Sequence, residues 1–113
     1  VLTGGQETYD FAHDFEVDGA DQITALSLCL LADDGAVVYI NGTEVNRFNM
    51  PDGVIDWNTR PIGWIGNADE VYVDYSIGAE ALVEGSNVIT AEVHNFWPGN
   101  PDLSFDLCLE TVP

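Results

Sequence analysis

Lysine is missing from this chain altogether, and Arg47 and Arg60 are its only fixed cations. They face twelve aspartates and eight glutamates, a formal charge of −18. Such a surface repels phosphate backbones and anionic lipid, so neither nucleic acid nor a membrane surface is expected as a partner. It suits a neutral or cationic partner, a calcium ion or a salty medium, and it serves solubility in any case. Long apolar runs are missing too: no stretch approaches the roughly 18 to 20 residues of a membrane span. The first residues, VLTGGQETYD, show no basic start followed by an apolar core. No signal peptide is visible, and the sequence reads as a mature or excised module. Cysteine is scarce. Cys29 and Cys108 stand alone, and no Cys-x-x-Cys or His-x-x-x-His spacing points to zinc. Helix signals are nearly absent, the best candidate being a single turn around AEALVE. There is no internal repeat, low-complexity tract or linker.

What is present is alternation. With 46% apolar residues and twelve aromatics, 113 residues are enough for one core and are not the composition of a disordered chain. A single domain spanning 1–113 is expected. YDFAHDFEV, ITALSLCLL, AVVYI, VYVDYSI, NVITAEV and LSFDLCLE each follow a period of two and end at Gly, Pro, Asn or Asp. So many short strands predict an all-β chain folded as two packed antiparallel sheets, a β-sandwich. In ALSLCLL and LSFDLCLE the cysteine lies on the face opposite the leucines. If those strands are neighbours, Cys29 and Cys108 meet on the outer face. A disulfide is preferred there over two free thiols.

Asp33-Asp34-Gly35 fits a turn between two strands, with Asp bonding local backbone and Gly35 at positive φ. The same carboxylates are candidate calcium ligands. Neighbouring side chains on a strand point to opposite faces, so the pair does not make a hydrolase by itself. Asn41-Gly42 between AVVYI and TEV predicts a type I′ hairpin, because both central residues of that turn need φ > 0. Asn41-Gly42-Thr43 also spells a glycosylation sequon, a weak three-residue signal.

YDFAHDFEVDGAD, LSLCLLADDGAVVYINGTEVNRFNMP, ALVEGSNVITAEVHN and DLSFDLCLE together resemble the galactose-binding-like jelly-roll modules of secreted bacterial glycoside-active enzymes. The elements that carry the resemblance are Tyr39-Ile40-Asn41-Gly42 and Gly85-Ser86-Asn87-Val88. It implies a jelly-roll sandwich that either binds sugar or braces a catalytic neighbour. Asp33-Asp34-Gly35 followed by Val38-Tyr39-Ile40-Asn41-Gly42 is also similar to the core of protective-antigen-type lectin domains. There an Asp pair holds calcium, and a structural calcium on Asp33 and Asp34 is the corresponding expectation.

Sugar rings stack on exposed aromatic faces, and loops carry most binding residues on a rigid sandwich. Trp57, Trp64 and Trp97 all lie outside the alternating strands. Trp64, between Ile62 and Ile65, is the best core candidate of the three, and Trp97, before Pro98, the best exposed one. Around them Asn58, Arg60, Asn67, Asp69, His94, Asn95 and Asn100 supply groups that hydrogen-bond hydroxyls. His94 has no nucleophile in a recognised motif beside it, and His13 reads as a solvated residue on the polar side of its strand. Arg47, after the hairpin, reads as an ion-pair brace. Acid pairs such as Asp52 with Asp56, or Asp69 with Glu70, carry the residue types of glycoside chemistry, but in a chain dense with acids nothing singles one out. The expectation is a monomeric, non-catalytic, secreted module that binds a neutral or cationic polysaccharide for the catalytic domain of a parent enzyme. A structural accessory domain without a ligand is the alternative, and a lone hydrolase a third reading.

Overall fold

The structure, a computed structural model, describes residues 8–63, 72–96 and 104–112, with Asp33 and Ser104 described as backbone only. Seven strands follow in order: β1 (Thr8–Val17), β2 (Ala25–Asp33), β3 (Gly35–Ile40), β4 (Thr43–Phe48), β5 (Val73–Gly78), β6 (Gly85–His94) and β7 (Ser104–Val112). They form a four-stranded sheet, β1-β6-β3-β4, and a three-stranded sheet, β5-β2-β7. Every pairing is antiparallel, and the sheets pack face to face as a β-sandwich.

Period-two alternation decides which residues meet between the sheets. Leu26, Leu28, Leu30 and Ala32 of β2 face Ala36, Val38 and Ile40 of β3 and Ile89 and Ala91 of β6, all buried. Each fully buried Leu or Ile contributes about 1.5–3 kcal/mol relative to exposure. β4 approaches β5 across this core, where Val45, Phe48, Tyr75 and Ile77 pack against it.

Cys29 lies directly opposite Cys108 on the outer face of the smaller sheet, and the two are joined as a disulfide with Cα atoms 5.0 Å apart. The hairpin turn has Asn41 at φ 51° and Gly42 at φ 82°, the two left-handed residues of a type I′ turn. The Asn41 side chain holds this turn to the next strand pair. Its Nδ2 donates to the Ala81 carbonyl (2.9 Å) and to Asn87 Oδ1 (2.8 Å), and its Oδ1 accepts from the Val88 N–H (2.9 Å). Buried Asn87 in turn donates to the carbonyls of Val83 and Gly85 and accepts the Val83 N–H, each at 2.9 Å. Both amide protons of Asn41 are engaged, which leaves the sequon's acceptor nitrogen without a free donor. Asn-Gly and Gly-Ser-Asn-Val are thus two halves of one latch.

Two local expectations are corrected. The turn expected at Asp33-Asp34-Gly35 is a passage between sheets: the chain leaves β2 in one sheet and enters β3 in the other with Asp34 alone between them. Gly35 does not adopt positive φ; a Cβ there would sit 2.6 Å from Met50 Sδ and 3.0 Å from Pro61, so close approach rather than turn geometry requires glycine. AEALVE forms one hydrogen-bonded turn, Leu82 N–H to Ala79 carbonyl (3.1 Å), and no helix. The described residues' one helical turn is the 3-10 stretch Ala20–Gln22.

Candidate functional site

The outward face of the larger sheet is where loop and strand side chains converge. Period two puts Val88, Thr90, Glu92 and His94 of β6 on that face, beside Thr8 and Asp10 of β1 and Val37 and Tyr39 of β3. The segment following β4, residues 49–63, folds back over it. Three clips hold it. Asn49, at φ 54°, donates from Nδ2 to the carbonyls of Asp34 (3.1 Å) and Gly63 (2.8 Å). Arg47 donates to the carbonyls of Pro51 (2.6 Å) and Gly53 (2.9 Å). Its other nitrogens make a two-pronged ion pair with Glu44 at 2.7 and 2.9 Å, which holds the guanidinium above its usual range. The brace expected of Arg47 is therefore a clasp for the loop.

The third clip is buried. Thr8 Oγ1 donates to the Trp57 carbonyl (2.6 Å), and His94 Nδ1 donates to the Thr59 carbonyl (2.8 Å) while lying 3.1 Å from the same Thr8 oxygen. Between these anchors Asp56 organises a tight turn. Its Oδ1 accepts from the Asn58 N–H (2.9 Å) and the Thr59 hydroxyl (3.1 Å). Trp57 at the crest is 52% exposed, with Val54 and Ile62 also out in solvent. Its indole is presented on a backbone fixed from beneath.

Below the turn the network continues. His94 Nε2 lies 3.2 Å from Glu92 Oε1. Tyr39 is hydrogen-bonded to the same carboxylate; burial first, then the charges of Glu92 and Glu44, raise its phenol above the usual tyrosine range, so it stays a neutral donor. Glu92 retains partial exposure at 32%. The face thus offers one exposed indole, one partly open carboxylate and one phenol, linked through buried polar groups. Such a surface can stack against a ring and exchange hydrogen bonds with hydroxyls.

The expected binding residues divide three ways. Trp57, Asn58 and Arg60 are exposed together on the loop. His94 and Asn95 are buried, at 0% and 1% exposure, so in this conformation they face the interior rather than a ligand. The reason is strand parity: His94 is the last outward residue of β6, and the loop lies on top of it. Trp64, Asn67, Asp69, Trp97 and Asn100 lie outside the described residues, as does the Asp69–Glu70 pair. Asp56 of the Asp52–Asp56 pair is engaged in its own turn. Glu92 and Tyr39 were missed, although Thr90, Glu92 and His94 share a face in TAEVH.

Calcium takes six to eight oxygen ligands. Asp34 is fully buried, and its Oδ2 accepts the Phe96 N–H at 2.7 Å. Among the described residues no three His, Cys, Asp or Glu side chains converge on one point.

No family model matches the sequence, and no curated protein matches it. Among solved structures the chain is similar to β-D-mannosidase from Dictyoglomus thermophilum, with a TM-score of 0.51 and 14% identity. The match covers 80% of this chain and 9% of that one, so the chain spans a small part of that enzyme's length. At this identity the likeness is one of fold.

Proposed function

We propose that this domain is a non-catalytic carbohydrate-binding module, secreted and monomeric, whose ligand is a neutral or cationic polysaccharide and which serves an attached catalytic domain. The observation that carries the reading is the half-exposed Trp57 held over the outer sheet face by Thr8, His94 and Arg47. An aromatic carried on a backbone that is already held spares the cost of ordering the loop when a pyranose ring stacks on it. Asn58 and Arg60 on the same loop, and Glu92 on the outward sheet face, are the groups that would read hydroxyls. The formal charge of −18 disfavours sulfated and uronic polymers. Support for a carbohydrate setting comes from the fold likeness to one small part of a β-D-mannosidase.

Affinity electrophoresis against neutral, cationic and sulfated polysaccharides, with and without chelator, tests the reading. Retardation by at least one neutral or cationic glycan is expected, with Trp57→Ala weakening it tenfold or more (about 1.4 kcal/mol or above). Stability should change by no more than about 0.5 kcal/mol, as for other surface sites. Retardation by no glycan would overturn the module reading, and equal retardation of wild type and Trp57→Ala would remove this loop from the site. The same coverage, 9% of a large enzyme, also favours a second reading, an accessory domain that braces a catalytic partner and has no ligand of its own.

A further inference from the structure

The two sheets part company on the side away from β4 and β5. There β1, the last strand of the larger sheet, and β7, the last strand of the smaller, each have a strand neighbour on one side only among the described residues. Between them runs a cleft of about 570 Å³ lined by Phe11, Phe15, Ile89, Phe105, Leu107 and Leu109, with His13 on its wall. A second cavity of about 270 Å³ shares Phe15 and Leu109 and continues it past Val17 and Thr111. A stacked pair, Phe11 on Phe105 with ring centroids 4.8 Å apart, bridges the walls near one end. The groove follows β1 from Phe11 to Val17, which at about 3.3 Å per residue gives a length near 20 Å.

We infer that this groove is a docking site for an extended segment of a partner polypeptide, apolar at alternate positions and carrying Lys or Arg between them. Three features select that occupant. The groove runs along a strand, its lining following β1 from Phe11 to Val17. It is walled by two strands, β1 and β7, that each end their sheet among the described residues, the geometry of β-augmentation. Its rim is acidic: Asp10, Asp14 and Glu16 on β1 and Asp106 and Glu110 on β7 are exposed. Arg47 and Arg60, the chain's only fixed cations, lie on β4 and on the 49–63 loop. A second copy of this chain, also at −18, is repelled by that rim, whereas a basic strand is drawn to it. The groove itself lies on the inner side of β1, away from the Trp57 loop, although Asp10 and Asp14 of its rim stand on the outward face, and the proposal does not depend on the carbohydrate reading.

The test is fluorescence anisotropy of a labelled eight-residue peptide alternating Lys and Val, titrated with the intact protein. A peptide with the same residues in two blocks and one alternating Glu and Val serve as controls. The alternating basic peptide should bind at least about tenfold more tightly than either control. Amide hydrogen exchange should slow along β1 and β7. Asp14→Lys with Glu110→Lys, both on the exposed rim, should weaken binding about tenfold while the circular dichroism spectrum is unchanged. Leu107→Arg should abolish it; should that variant fail to fold, the rim variant decides. Equal binding of the block peptide would mean bulk attraction and overturn the proposal, as would binding of no peptide or protection confined to other strands. Protection of β1 and β7 by self-association at high concentration would overturn it in favour of a second copy. An apolar dye bound in the groove and not displaced by the peptide would overturn it in favour of a small ligand.

Discussion

The two lateral margins of the sandwich are built from the same residue types, partly buried on both sides, and a groove opens along one of them. On the β4–β5 margin Val45, Phe48, Tyr75 and Ile77 close over a core whose leucines are fully buried. On the β1–β7 margin Phe11, Phe15, Phe105, Leu107 and Leu109 are partly buried to the same degree, yet they line a groove. The difference lies in what spans each gap, not in hydropathy. β4 follows β3 through a two-residue hairpin latched by Asn41 and Asn87, which brings its side chains down on β5. β1 and β7 are remote in sequence, and a single aromatic stack joins their inner faces. A strand pattern therefore tells which face is apolar and not whether anything covers it.

The sharpest way to break this comparison is a pair of truncations. Leu28→Ala should cost about 2–5 kcal/mol in urea unfolding, as fully buried leucines do. Leu107→Ala, at the open margin, should cost roughly 1 kcal/mol. Equal losses would mean that the open margin is packed as tightly as the core. Replacing Cys29 and Cys108 by serine should cost about 2–4 kcal/mol, since the bond closes a loop of 79 residues. A loss in that range would identify the covalent tie to β2, more than packing against β1, as what holds the outer wall of the groove. Asn87→Ala should cost about 1–3 kcal/mol, because it strips partners from buried donors and acceptors of the latch; the loss would be read as a fall in melting temperature.

The smallest effect is at Glu84, whose carboxylate accepts the Ala20 N–H (2.9 Å) and the Gly19 N–H (3.1 Å) beyond the end of β1. Those bonds hold it below the usual carboxylate range. A carboxyl group that titrates lower folded than unfolded adds stability above its unfolded value and loses it as pH falls through the folded one. Glu84→Gln should therefore lower the melting temperature slightly at neutral pH. The gap from wild type should vanish in acid, as paired melting curves across pH would show.

Much of the scaffold was legible because period two is a local property. The strands and the outward face shared by Cys29 and Cys108 follow from it, and the Asn41-Gly42 turn from two residues that tolerate positive φ. Parity also held information that was misread. His13 shares the face of Phe11 and Phe15, so it lines the groove instead of standing on the polar side of its strand. Gly35 was opaque because its constraint comes from Met50 and Pro61, residues distant in sequence. The candidate site was legible only as an exposed tryptophan on a loop. That Trp57 would be clipped from below by Thr8 and His94, two residues 86 positions apart, depends on β1 pairing with β6. Nothing in either strand alone announces that contact.

The disulfide also fixes what becomes of a chain cut in the exposed 49–63 loop. Such a cut separates β1 to β4 from β5 to β7, and each sheet draws strands from both pieces. Cys29 lies in the first piece and Cys108 in the second, so the fragments stay bonded and interleaved. Proteolytic nicking would leave one particle made of two polypeptides, its sheets intact, with the tryptophan loop released at one end only.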